Sequence, residues 1–159
     1  MKNLIIMTTV VVSIYYIFTS YSPFQTEVTD PHFVEIRVSL KGTNIKMVGF
    51  GKMFSHGDCI GRSAIFWREV FKDSGEINIS ETEVSCKKRI SARYKKLFDD
   101  KTTTASYVAL NRGNRFERDA RFVMYGIPSS VVMKECEKII SEVKKNYQGK
   151  IFCVKGTIG

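Results

Sequence analysis

Histidine is nearly missing from this chain: His32 and His56 are the only two in 159 residues. General acid–base catalysis near neutral pH draws most often on histidine, and zinc sites need three or four ligands. His56 lies in the polar loop Ser55-His56-Gly57-Asp58, where His56 and Asp58 supply two ligands and no third is in view. No metal and no cofactor is therefore expected. A Ser-His-Asp triad within that loop is excluded, because triad members converge from separate parts of a fold. No C-x-x-C occurs, which removes the dithiol oxidoreductases and zinc ribbons. Gly49-Phe50-Gly51-Lys52 lacks the spacing and the following Ser or Thr of a phosphate loop and reads as a bulge or close approach within a strand. There is no internal repeat and no low-complexity stretch.

Charge is missing from one long stretch, Asn3 to Gln25. Lys2 precedes it, and Leu4 to Phe18 is almost continuously apolar. A positive start and an apolar run are the layout of an export signal; a buried core helix would instead be amphipathic. Two readings follow for residues 1–22. They are a cleaved signal peptide, for which Ser20-Tyr21-Ser22 offers small residues but Pro23 a poor junction. Otherwise they are a single-pass anchor held in the membrane through residues 4–22, with Tyr15, Tyr16 and Tyr21 at the headgroup level. Either way the rest of the chain is expected outside the cytosol: periplasmic, secreted or tethered. No cysteine near the junction supports a lipoprotein. Residues 23–31 read as a spacer and residues 32–159 as one domain.

Four cysteines follow the export segment: Cys59, Cys86, Cys136 and Cys153. An even count in an exported chain reads as disulfides, with three possible connectivities for two bridges. Cys136 falls on the apolar stripe of a helix and Cys153 in the strand after it. Cys59 opens one expected helix and Cys86 lies on the inner stripe of the next. Cys59–Cys86 and Cys136–Cys153 are the expected pairs.

Fold class follows from periodicity. Phe33 to Leu40 and Ile45 to Met53 alternate as a hairpin around Lys41-Gly42-Thr43-Asn44. Asp58 caps a helix with Ile60, Ala64, Trp67 and Phe71 on one face, ended by Gly75. Ile77 and Ile79 form a short extended piece. Ser80 and Glu83 match a capping box and open a basic helix over 81–98 with Cys86, Ile90, Tyr94 and Leu97 inward. Thr102 to Leu110 and Arg118 to Tyr125 form a second hairpin. A helix from Pro128 carries Val132, Cys136, Ile139, Ile140, Val143 and Tyr147 at helical spacing, stopped by Gly149. Ile151 to Val154 is a last strand. The expected architecture is α+β, order β-β-α-α-β-β-α-β, with about three helices on one face of a mainly antiparallel sheet.

Residues 87–121 hold eleven basic and four acidic side chains, a net +7 in a chain of net +9. Such a local field attracts anions. Asn111 to Arg121 places Arg112, Arg115, Phe116, Arg118 and Arg121 around a hairpin tip; arginine forks bind phosphate or carboxylate bidentately. Together with Lys87 and Lys88 these are the expected binding residues. Glu117 and Asp119 count against simple polyanion binding, since they can pair with the arginines. The leading expectation is a non-enzymatic exported binding or accessory domain whose partner is an acidic protein, an anionic envelope surface or another polyanion. The alternative is a small exported hydrolase, a nuclease using His56 or His32 with a carboxylate (Glu35 or Glu117) and Arg118 or Arg121.

Overall fold

The computed structural model describes residues 28, 30–72 and 79–157, with backbone alone over 66–72. The export segment, most of the spacer, the side chains of Trp67 and Phe71, and Gly75 and Ile77 lie outside the described residues. No described helix is long and apolar enough to cross a membrane.

Among the described residues six strands form one sheet: β1 (His32–Leu40), β2 (Lys46–Met53), β3 (Ile79–Lys87), β4 (Tyr107–Asn111), β5 (Asp119–Tyr125) and β6 (Lys150–Val154). Helices α1 (His56–Lys72), α2 (Ala92–Phe98) and α3 (Ser129–Val143) connect them. The sheet order is β3-β1-β2-β5-β4-β6 and every pairing is antiparallel. The fold is α+β, as expected. The element order differs, because Ile79–Lys87 is a strand and the expected basic helix shrinks to Ala92–Phe98.

The reason is visible at both ends of β3. Thr82, Val84 and Cys86 alternate with exposed Glu81 and Glu83, the period of a strand. The Ser80 hydroxyl donates to the Ser39 carbonyl of β1 at 3.1 Å, so it serves sheet pairing and caps no helix. Pairing along β1 from Phe33↔Lys87 to Leu40↔Ile79 satisfies backbone groups that a helix would have left open.

Four further expectations change. Ser55 caps α1: its Oγ accepts from the Asp58 amide, and Asp58 in turn accepts from the Phe54 amide. Ile60 is 50% exposed and Ala64 exposed, while Cys59 and Arg62 on the neighbouring face are buried. Gly49 and Gly51 sit in unbroken register in β2; the bulge is at Ser39/Leu40. Gly149 does not end α3, whose last turn closes near Lys144. It lets two loops touch instead, since a side chain on facing Gly113 would stand 2.6 Å from the Gly149 amide nitrogen.

The helices do not all pack on one face. Val34, Ile36, Val38, Val108, Leu110 and Phe122 form the layer under α1 and α3, which adds Val132, Cys136, Ile139 and Val143. Val48, Phe50, Tyr107, Ala109 and Val123 point the other way and are covered by Tyr94 and Leu97 of α2.

Two equivalent halves compose the molecule, a repeat that residue identities do not reveal. β1-β2-α1-β3 and β4-β5-α3-β6 share one element order, and the sheet reads alike outward from the β2–β5 seam. Register obeys the same two-fold. Cys86 pairs with Val34, Val34 with Gly51, and Gly51 with Ala120. In the other half Cys153 pairs with Val108, Val108 with Phe122, and Phe122 with Gly49. Each disulfide ties the helix of its half to that half's edge strand: Cys59–Cys86 with Cα atoms 6.0 Å apart, Cys136–Cys153 with 6.1 Å. The first bridge thus joins helix to strand, where two helices were expected. Among the described helices α2, in the connection between the halves, has no counterpart.

Candidate anion-binding face

The arginine-rich hairpin is mostly interior. Arg118 is 0% exposed. Its Nε donates to Asp58 Oδ2 at 2.9 Å, its Nη2 to Oδ1 at 3.3 Å, and its Nη1 to the carbonyls of Phe116 and Glu117 at 3.0 Å. The guanidinium lies 3.7 Å from the Phe54 ring centroid. Arg62, also buried, donates to Asp58 Oδ1 at 2.7 Å. Burial opposes ionisation of Asp58, but the bonds from Arg118 and Arg62 outweigh it and hold the carboxyl below the usual range.

Arg121 is 2% exposed. It donates to the carbonyls of Leu97, Leu110 and Ala120 at 2.7–2.8 Å, and to Asp100 and Asn111 at 2.6 Å. Glu117 is buried, accepting from the amides of Gly113, Gln148 and Gly149. Arg118 and Arg121 are therefore framework, their donors spent on carbonyls and carboxylates. At the hairpin surface stand exposed Arg115, with its guanidinium 4.8 Å from the half-buried Phe116 ring, and half-buried Arg112, 5.5 Å from Phe54.

The histidines meet each other, and His32 also lies beside Asp30, whose carboxyl is held low by Lys88 first and by His32 in smaller part. Their ring centroids are 5.3 Å apart, and no hydrogen bond or ion pair joins either to Glu35, Glu117, Arg118 or Arg121. Glu35 points to the opposite sheet face, where Lys87 and Arg37 bind it at 2.8 and 2.7 Å. Burial raises its carboxyl, but those two cations win and hold it low. Among the described residues no three His, Cys, Asp or Glu side chains gather as a metal site.

What the fold does assemble is a groove beside α2. Phe33 from β1, Lys52 from β2, Lys88, Arg89 and Ile90 from the connection, and Lys95, Phe98 and Asp99 around α2 line a hollow of about 400 Å³. Phe33 and Phe98 meet edge to face at 5.6 Å. Arg121 supports the floor from below, 5.0 Å from the Phe98 ring and bonded to the Leu97 carbonyl. Lys88 pairs with Asp30, and Asp99 with Lys101. Lys52, Arg89 and Lys95 have no ion-pair partner among the described residues. On the other side of α2, Arg93, Lys96, Thr102, Thr103, Thr104 and Thr157 line a second hollow. Burial first, then neighbouring Tyr94, push the Tyr125 hydroxyl near Arg93 up to about 12.

Lys88 belongs to the groove and Lys87 to the adjoining strand; Arg89, Lys95 and Phe98 fall within the basic segment 81–98 that the sequence points to as a binding element, whereas Phe33 and Lys52 lie outside it. The dense basic run from Lys87 to Lys101 was the available signal. Phe33 and Lys52 join it only through the sheet.

No protein-family model, curated protein or solved structure matches this chain.

Proposed function

We propose that the chain is an exported, non-enzymatic binding domain that engages an anionic partner through the face around α2. The observation that carries this reading is the groove itself: three cations without an ion-pair partner among the described residues, Lys52, Arg89 and Lys95, beside two paired phenylalanines. The element that carries most of it, α2 with its connection, is the one that breaks the two-fold. The two disulfides accord with an oxidising compartment outside the cytosol. The hydrolase alternative gains no support from its own residues, since Glu117 and Arg118 are spent inside the fold and neither histidine bonds Glu35 or Glu117.

Heparin binding by the full chain in a neutral detergent, followed across a salt series, tests the proposal. Affinity should fall steeply with salt, and Arg89→Ala with Lys95→Ala should weaken it several-fold. Unchanged binding in that double variant, with loss instead in Arg112→Ala plus Arg115→Ala, would move the site to the hairpin and overturn the groove.

A further inference from the structure

Resting on that reading, we infer that the groove's ligand is the headgroup region of an anionic phospholipid in the membrane to which the N-terminal segment leads. The lining mixes two chemistries at one place. Lys52, Arg89 and Lys95 supply positive charge, while Phe33, Ile90 and Phe98 supply apolar surface with no charge to satisfy. A heparin-like glycan brings charge at every repeat and calls for a polar track, and a nucleic acid, though its bases stack on aromatic rings, calls for a basic groove several nucleotides long rather than one hollow. A phospholipid brings one phosphate directly attached to glycerol and hydrocarbon, which matches cations standing over an apolar floor. The hollow, at about 400 Å³, falls in the range of small-ligand sites and admits one headgroup with its glycerol.

Placement supports the same ligand. The chain enters the domain at the groove's rim: Asp30 bonds Lys88 there, and Phe33, three residues on, is part of the floor. Residues 19–31 separate the end of the apolar run from His32. Fully extended, those residues span at most about 45 Å. While the N-terminal segment occupies a bilayer, the groove is held within that distance of its surface. Each groove cation near an anionic leaflet is worth about a fivefold gain in affinity.

The test uses the full chain in a neutral detergent and ligand-observed NMR titrations with dihexanoyl phosphatidylglycerol, dihexanoyl phosphatidylcholine and inorganic phosphate, with heparin in parallel. Saturable binding of phosphatidylglycerol, at least tenfold tighter than phosphatidylcholine or phosphate, is expected. Arg89→Ala with Lys95→Ala, both exposed positions, should weaken it several-fold without moving the melting temperature. Phe98→Ala should weaken phosphatidylglycerol but leave heparin unchanged. Equal binding of the two lipids, or phosphate competing as well as phosphatidylglycerol, would overturn the lipid assignment. Heparin binding without phosphatidylglycerol binding would overturn it too and leave the anionic-partner reading standing. Loss of both ligands from the unmodified chain would sink the two together.

Discussion

Arg121 holds Phe98 in place without being part of the surface that Phe98 forms. Its Nε bonds the Leu97 carbonyl at 2.7 Å from beneath, and its guanidinium carbon lies 5.0 Å from the Phe98 ring centroid. A sheet residue thus positions the last turn of α2, and through it one wall of the groove.

Arg121→Ala should therefore act on both stability and α2. Removing a buried cation that bonds three carbonyls and a carboxylate forfeits all of those charge-assisted bonds, a loss of about 3 kcal/mol or more. Urea unfolding reads the stability. Amide exchange should show α2 losing protection more than α1 or α3, and equal loss across all three would refute the positioning role.

Arg118 and Arg115 are three residues apart and should behave oppositely. Arg118→Ala strands Asp58 with one cation in the interior and should cost about 3–5 kcal/mol. Arg115→Ala, at the surface, should stay within about 0.5 kcal/mol. Thermal unfolding of the pair decides the matter, and a mild Arg118→Ala would mean that Arg62 alone suffices for Asp58.

The contrast between those two arginines shows where sequence reading stops. Alternation picks out the first hairpin and β5, and the stripe Val132, Cys136, Ile139 and Val143 picks out α3, because local periodicity is enough there; β4 starts five residues later than the expected Thr102 and runs on through Asn111. Charge read as surface failed for Arg118 and Arg121, since only the tertiary structure brings Asp58 or the Leu97 carbonyl to their donors. Ser80 and Glu83 carried a real local capping signal, but β1 needed an outer partner more. The two-fold was illegible because register carries it: Gly51 stands where its counterpart is Phe122. The groove was half legible, through Lys88 and the basic run, and half not, since Phe33 and Lys52 come from distant strands.

Acid should weaken the fold through Asp58. Its folded carboxyl titrates below the ordinary value, so the unfolded chain takes up the proton first. The stabilisation is complete above about pH 4 and is lost as pH falls through the lower, folded value. Asp58→Asn should flatten the acid side of a stability–pH curve while lowering stability at pH 7. A curve parallel to that of the unmodified chain would show that another carboxyl governs acid sensitivity.

The disulfides should fail separately. Cys59–Cys86 and Cys136–Cys153 close intervals of 27 and 17 residues, each contributing about 3 kcal/mol. Replacing either pair by serine should lower stability by that amount and raise amide exchange first in its own edge strand, β3 or β6. Exchange rising equally in both edges would show that the halves are not independently stapled. Non-reducing peptide mapping checks the connectivity itself.

The seam between β2 and β5 has one more consequence. A chain cut within the connection that carries α2 would yield two pieces, each a three-stranded sheet with one helix and its own disulfide. Each piece would expose one bare inner edge. Because the seam is antiparallel and its register obeys a two-fold, the backbone of that edge matches a second copy of itself, but the side chains do not: Phe50 faces Arg121 on the axis, and a self-paired β5 edge would set Arg121 against Arg121. The two pieces should therefore pair with each other in preference to themselves, the seam's like backbones being made specific by its unlike side chains.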